Sequence, residues 1–245
     1  MRDDHLVARD EFFEGYFRRE PAPAKIGFFS LGHESYWPQF EGLKDQLLKH
    51  HKDFVDELTR RGFDVVDAGM GDKSQEAFRI GDDLRQADVD LVICYHATYG
   101  SAGNAFAAIQ RAGKPVVLAA LQPSPGLDCE KGTTFQQLCN DAICALPELV
   151  CALRRAHLTI ADVIVGQLYG DERAWQRLED WGRIARVLHV LRNARIGLMG
   201  HVYEGMLDMN SDPTMFDALF GMHVEHLELD DLQVRVGDVT DAEVD

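Results

Sequence analysis

From Lys25 onward the chain alternates short apolar runs with longer stretches whose apolar residues recur every three or four positions. The runs 25–31, 63–68, 89–95 and 115–121 (KIGFFSL, FDVVDA, VDLVICY, PVVLAAL) have strand length and are bounded by Gly, Pro or charged residues. The segments 40–61, 74–86 and 102–112 carry helical spacing, and Gly62 and Gly113 stand where carboxyl caps belong. This rhythm predicts an open parallel sheet with helices on both faces, an α/β fold of the Rossmann-like kind.

Further along, residues 122–135 (QPSPGLDCEKGTTF) mix Pro, Gly and polar side chains and read as a long loop after the fourth strand. A helix at 140–157, a short strand at 160–168 and an amphipathic helix at 171–193 follow. The last carries Trp175, Leu178, Trp181, Ile184, Leu188 and Leu191 and is expected to link two domains. At Ala194 the chain echoes its own opening, ARIGLMGHVYEGM against AKIGFFSLGHESYW, which predicts a second sheet beginning near 195. A helix at 213–222 and a strand at 224–229 complete the pattern. About 50 residues remain there, against the roughly 100 of an ordinary parallel-sheet domain. The expected organisation is an appendage at 1–24 with an amphipathic helix over 5–19, a Rossmann-like domain at 25–193, and the start of a truncated second α/β domain at 194–245.

Composition narrows the function classes. The net charge of -16, with 41 acids against 25 bases, argues against a nucleic-acid or anionic-membrane surface. Five cysteines without a CxxC pair are a poor disulfide framework, so reduced thiols are expected, with Cys144 and Cys151 in the core. No signal-peptide pattern opens the chain, and no run approaches the about 20 apolar residues of a membrane span, so a cytoplasmic protein is expected.

In an open parallel sheet, ligands bind outside the carboxyl ends of the strands. The first run stops at Gly32 and hands over to His33, Glu34, Tyr36 and Trp37. His96 closes the third run, with Tyr99 and Gly100 behind it, and Gln122 follows the fourth. Aromatic faces beside an imidazole suit a sugar or another polyol. Other motifs are weaker. GSAGNA at 100–105 lacks the spacing of a phosphate loop. His50 and His51, flanked by Lys49 and Lys52, are expected in solvent, and the alternation VEHLEL sends His223 and His226 to opposite faces of a strand. No Ser-His-Asp signature, GxSxG or HExxH occurs.

GHESYWPQFEGL, YHATYG after the third strand, Lys114-Pro115 opening the fourth, and ARIGLMGHVYEGMLDM with the tail VRVGDVTDAEVD resemble the amino-terminal half of the L-arabinose isomerase and L-fucose isomerase family, over about residues 25–245. The resemblance implies aldose-ketose interconversion through an enediol, homo-oligomers with the sugar site between subunits, and a Mn2+ ion held by two glutamates and two histidines. Those ligands belong to the half of the family that would follow residue 245, so no metal ligand is expected in this chain. By the same resemblance Tyr36, His96 and Gln122 match family positions that approach the substrate, and His201, Tyr203 and Glu204 lie on the strongest matching motif. Two departures put the substrate's identity in question: His33-Glu34 stands where the sugar enzymes have Gln-His, and Ala120 where they have a histidine.

The resulting expectation is the amino-terminal portion of a sugar isomerase-like protein, inactive alone, with His33, Tyr36, Trp37, His96, Tyr99, Gln122, His201, Tyr203 and Glu204 contacting substrate. Its partner would be a second copy or a complementing carboxyl-terminal half. The alternative is a non-catalytic sugar-binding or oligomer-forming module.

Overall fold

A computed structural model describes residues 23–128 and 130–241. The helix expected at 5–19 lies outside the described residues. Five strands, β1 (Lys25–Leu31), β2 (Asp64–Gly71), β3 (Leu91–His96), β4 (Val116–Gln122) and β5 (Ile160–Gln167), form one parallel sheet in the order β2-β1-β3-β4-β5. The intervening helices are α1 (Leu43–Arg60), α2 (Ser74–Gln86), α3 (Phe106–Ala112), α4 (Thr134–Cys139), α5 (Leu146–Arg155) and α6 (Glu172–Arg192). This is the Rossmann-like α/β architecture, and the order reverses between β1 and β3, where such sheets leave a crevice at their carboxyl edge.

Strand side chains alternate between the two faces, so the near-continuous apolar runs of β1, β3 and β4 feed two cores at once. On one face Phe28, Ile93, Tyr95 and Val117 meet α1 and α6 through Phe54, Leu58, Trp175 and Leu178. On the other, Phe29, Leu31, Cys94 and Leu118 meet α2, α3 and α5 through Ile80, Leu84, Ile109 and Leu149. Phe54 anchors the first core, its ring centroid 4.9 Å from Phe28, 4.9 Å from Tyr95 and 4.8 Å from Trp175.

The strand expected at 160–168 is observed at Ile160–Gln167, an edge strand paired along β4, and two other local expectations change. The loop after β4 ends at Thr133, whose side chain accepts from the Gln136 N–H while the Gln136 side chain returns the bond, so α4 begins inside the polar stretch. The helix expected from 140 starts only at Leu146, with Pro147 in its first turn. That start leaves Cys144 outside the helix, and the buried stripe Leu146, Leu149, Leu153 turns Cys151 outward, so both thiols are exposed rather than in the core.

The chain divides into two compact units between Arg186 and Val187, inside α6. The second unit holds β6 (Arg195–Met199) paired in parallel with β7 (His223–Leu227), together with α7 (Pro213–Phe220) and α8 (Leu229–Val236). Asp212 caps α7 by accepting from the Thr214 N–H, and Gly221 closes it in a left-handed conformation at φ +70°. β7 is a strand, as the alternation VEHLEL implied. Ile196, Leu198 and Met199 on β6 are exposed. Among the described residues no helix is long and apolar enough to cross a membrane.

Candidate functional site

The carboxyl edge is built by loops that approach one another closely. Beyond β1, the Gly32 N–H donates to Gly71 O and the Glu34 N–H to Asp72 O, extending the strand pairing past the sheet. The buried Asn104 amide donates to Gly32 O at 2.9 Å and to Asp72 O at 3.2 Å, tying the ends of β1 and β2 to the loop after β3. Only glycine fits at these crossings: a Cβ on Gly71 would meet Asn104 O at 2.6 Å, and one on Gly100 would meet Gly32 O at 2.8 Å.

Asp72 accepts from Trp37 Nε1 at 2.9 Å and Lys44 Nζ at 3.0 Å. Burial pushes this carboxyl up, but these two donors outweigh it and hold it below the usual carboxylate range. Trp37 therefore anchors the first loop, with Lys44 over its ring at 5.3 Å.

Three of the residues expected at the site come together above the β1–β3 switch point. The His33 ring lies 5.0 Å from Tyr36 and stacks on Tyr99 at 6.1 Å, with Ser35 Oγ 2.7 Å from its Nδ1. All three rings are half-buried, so their faces reach solvent. Burial, then the nearby Asp141 carboxylate, raises the Tyr36 pKa and keeps its phenol protonated. Tyr99 donates its hydroxyl to Glu148 Oε2 at 3.2 Å, while Glu148 Oε1 accepts the Ala102 N–H at 2.8 Å. Each carboxylate oxygen keeps acceptor capacity for a further donor.

The other expected residues do not join this ring cluster. His96 is wholly buried, and among the described residues neither ring nitrogen has a hydrogen-bond partner; Thr98 Oγ1 shares that condition. Burial alone pushes the His96 pKa down to about 4, so the ring is neutral. The Gln122 amide donates to Asn140 O at 2.6 Å, fastening the loop after β4. His201, Tyr203 and Glu204 belong to the second unit and are exposed, with His201 Nε2 3.9 Å from a Glu228 carboxylate oxygen.

Polar clusters that the sequence reading missed sit on α1. His50 and His51 are buried, not solvated, because they fall on the inward stripe between Leu47 and Phe54. Ser30 Oγ lies 2.7 Å from His51 Nδ1, and His51 Nε2 lies 2.8 Å from Asp67 Oδ1. The carboxylate only accepts, so Nε2 carries the proton and Nδ1 accepts the serine hydroxyl. Asp67 is aimed by an irregularity in β2, where the register jumps from Phe28↔Asp67 to Ser30↔Met70 and Gly69 takes φ +86°. The trio resembles a hydrolytic triad in composition, yet Ser30 is fully buried within the sheet and no substrate can reach its hydroxyl.

His50 begins a second relay. Its Nδ1 lies 2.9 Å from the Tyr169 hydroxyl, which donates to Asp53 Oδ2 at 2.6 Å, and its Nε2 lies 2.9 Å from Gln46 Nε2. Tyr169 commits its proton to Asp53, so His50 Nδ1–H donates to the phenol oxygen and Nε2 accepts from the Gln46 amide. Burial lowers the His50 pKa, which keeps this tautomer neutral. Gln46, His50 and Tyr169 face a cleft of about 630 Å3 between α1, α4 and the loop after β4.

Among the described residues no group of three or more His, Cys, Asp and Glu side chains is gathered closely enough to hold a metal ion. No protein-family model matches the chain, and no curated protein sequence matches it.

Proposed function

We propose that this chain is the amino-terminal portion of a sugar aldose-ketose isomerase-like protein and that its carboxyl edge contacts a sugar. The observation that supports this reading is the clustering of His33, Tyr36 and Tyr99 at the point where the strand order reverses. Aromatic faces cover the C–H side of a sugar ring, while the imidazole and the Glu148 carboxylate meet its hydroxyls. The neutral phenol of Tyr36 donates a hydrogen bond at neutral pH.

In this reading the reacting carbons are handled by groups outside the described chain, in a second copy or a carboxyl-terminal half. Manganese, which the resembled family uses, would polarise the two substrate oxygens when bound, and the described residues gather no His, Cys, Asp and Glu group that fits it. The work of this chain is to orient the sugar and shield one face from water.

The test is calorimetric titration of the purified chain with L-arabinose and L-fucose, alongside Tyr36→Ala. Saturable uptake that weakens about fivefold or more in the variant is expected, since one aromatic face against a sugar contributes on the order of 1 kcal/mol. Absence of uptake, or equal uptake by the variant, would remove this rim from any role in sugar binding.

A further inference from the structure

We propose that the cleft between α1 and the loop after β4 is a separate ligand site, for a small polyhydroxylated anion such as a sugar phosphate or a sugar acid. The cleft shares no lining residue with the His33 rim, and the assignment does not depend on the isomerase reading.

Size comes first. A volume of about 630 Å3 lies inside the range of roughly 300–1,000 Å3 that small-molecule sites occupy. Charge comes second. Lys49 enters from α1 and Lys131 from the loop after β4, against one lining carboxylate among the described residues, Asp128. Asp128 Oδ1 is already engaged by the backbone N–H groups of Glu130 at 2.9 Å and Lys131 at 3.2 Å. The lining is therefore positive in a chain whose net charge is -16. Two ammonium groups from different elements match a phosphate or carboxylate better than a neutral sugar.

Preorganisation is the third argument. The relay from Asp53 through Tyr169 and His50 holds Gln46 by one of its amide N–H bonds. That leaves the second Gln46 N–H and its carbonyl oxygen to meet hydroxyls, and Ser124 lines the same space. Phe135 and Tyr169 supply apolar surface for the carbon skeleton. The buried His50 imidazole thus acquires a purpose beyond filling the inward face of α1: it orients the amide at the cleft. His50 is a positioning residue in this account.

Isothermal calorimetry on the whole chain tests the site with D-ribose 5-phosphate, gluconate, D-ribose and inorganic phosphate. Saturable binding of ribose 5-phosphate or gluconate is expected, with either one alone identifying which anionic group is preferred. D-ribose and inorganic phosphate should each bind at least about tenfold more weakly, since each lacks half of the recognised chemistry. The double variant K49Q/K131Q, whose two side chains are exposed, should weaken the anion about tenfold or more, while Tyr36→Ala leaves it unchanged. The proposal is overturned if neither sugar anion binds, if the double variant binds equally well, or if inorganic phosphate binds as tightly as ribose 5-phosphate. Amide shift mapping separates this site from the rim: Ser124 and Lys131 should respond to the anion, and Tyr99 should not.

Discussion

Two histidines are buried in the same unit under opposite conditions. His51, on the α1 side of the sheet, has both ring nitrogens bonded, one to Ser30 and one to Asp67. His96, at the carboxyl end of β3, has neither bonded to any of the described residues. Burial costs a polar group free energy unless a partner replaces the lost water. The His51 trio therefore fastens β1, β2 and α1 together, whereas His96 and Thr98 place an unmet cost beside the strand-order reversal.

The widest test of this contrast is pH. The folded protein keeps His96 neutral down to about pH 4, while the same side chain in the unfolded chain takes up a proton near its ordinary 6.5. Stability is thus fully present above about pH 6.5 and is lost as the pH falls toward 4, because only the unfolded state gains the proton. At about 1.4 kcal/mol for each pH unit between the two values, the loss is roughly 3 kcal/mol. Denaturant melts across that range should show the slope, and His96→Leu should flatten it. His50, also lowered by burial, adds a contribution of the same sign. A melt that shows no loss of stability across the window would mean that His96 is hydrated or bonded in solution.

A narrower test removes the partnered ring. His51→Ala leaves the buried Ser30 hydroxyl without an acceptor and opens space beneath Phe28, whose ring meets His51 at 4.9 Å. A loss of about 2–3 kcal/mol is expected, read as a lower denaturant midpoint at unchanged slope. A loss below about 0.5 kcal/mol would mean that the trio contributes packing without hydrogen-bond stabilisation.

The smallest effect belongs to the half-exposed relay. Tyr169→Phe cuts the link between His50 and Asp53, but Tyr169 is 46% exposed and water replaces much of what is lost. About 0.5–1 kcal/mol is expected. The more telling readout is the His50 ring: nitrogen-15 shifts should show a redistribution of tautomers once the phenol acceptor is gone. Unchanged shifts would mean that Gln46 alone sets the ring.

The legibility of the chain follows the same division. β1, β3 and β4 were readable because both of their faces are buried, which writes an unbroken apolar run into the sequence. β5 was readable at nearly its observed bounds, although as an edge strand with one residue in eight fully buried it carries a more diluted pattern. The inward stripe of α1, Leu43, Leu47, Phe54 and Leu58, was equally regular, and its gap at His50 and His51 was the signal that both rings face inward. The flanking lysines disguised it. At the carboxyl edge His33 and Tyr36 were readable as neighbours in one loop, whereas the stacking of His33 on Tyr99 joins two strands adjacent only in space.

By itself the sequence determined the alternation of strands and helices and the parallel sheet, since periodicity is a property of neighbouring residues. Only the tertiary structure decided which imidazoles are bonded and which are stranded. Only Gln46, four residues from His50, is a local partner; the other partners of His51 and His50 lie 21, 16 and 119 residues away along the chain, and a polar side chain's energy depends on who stands opposite it, which strand order settles and local pattern does not.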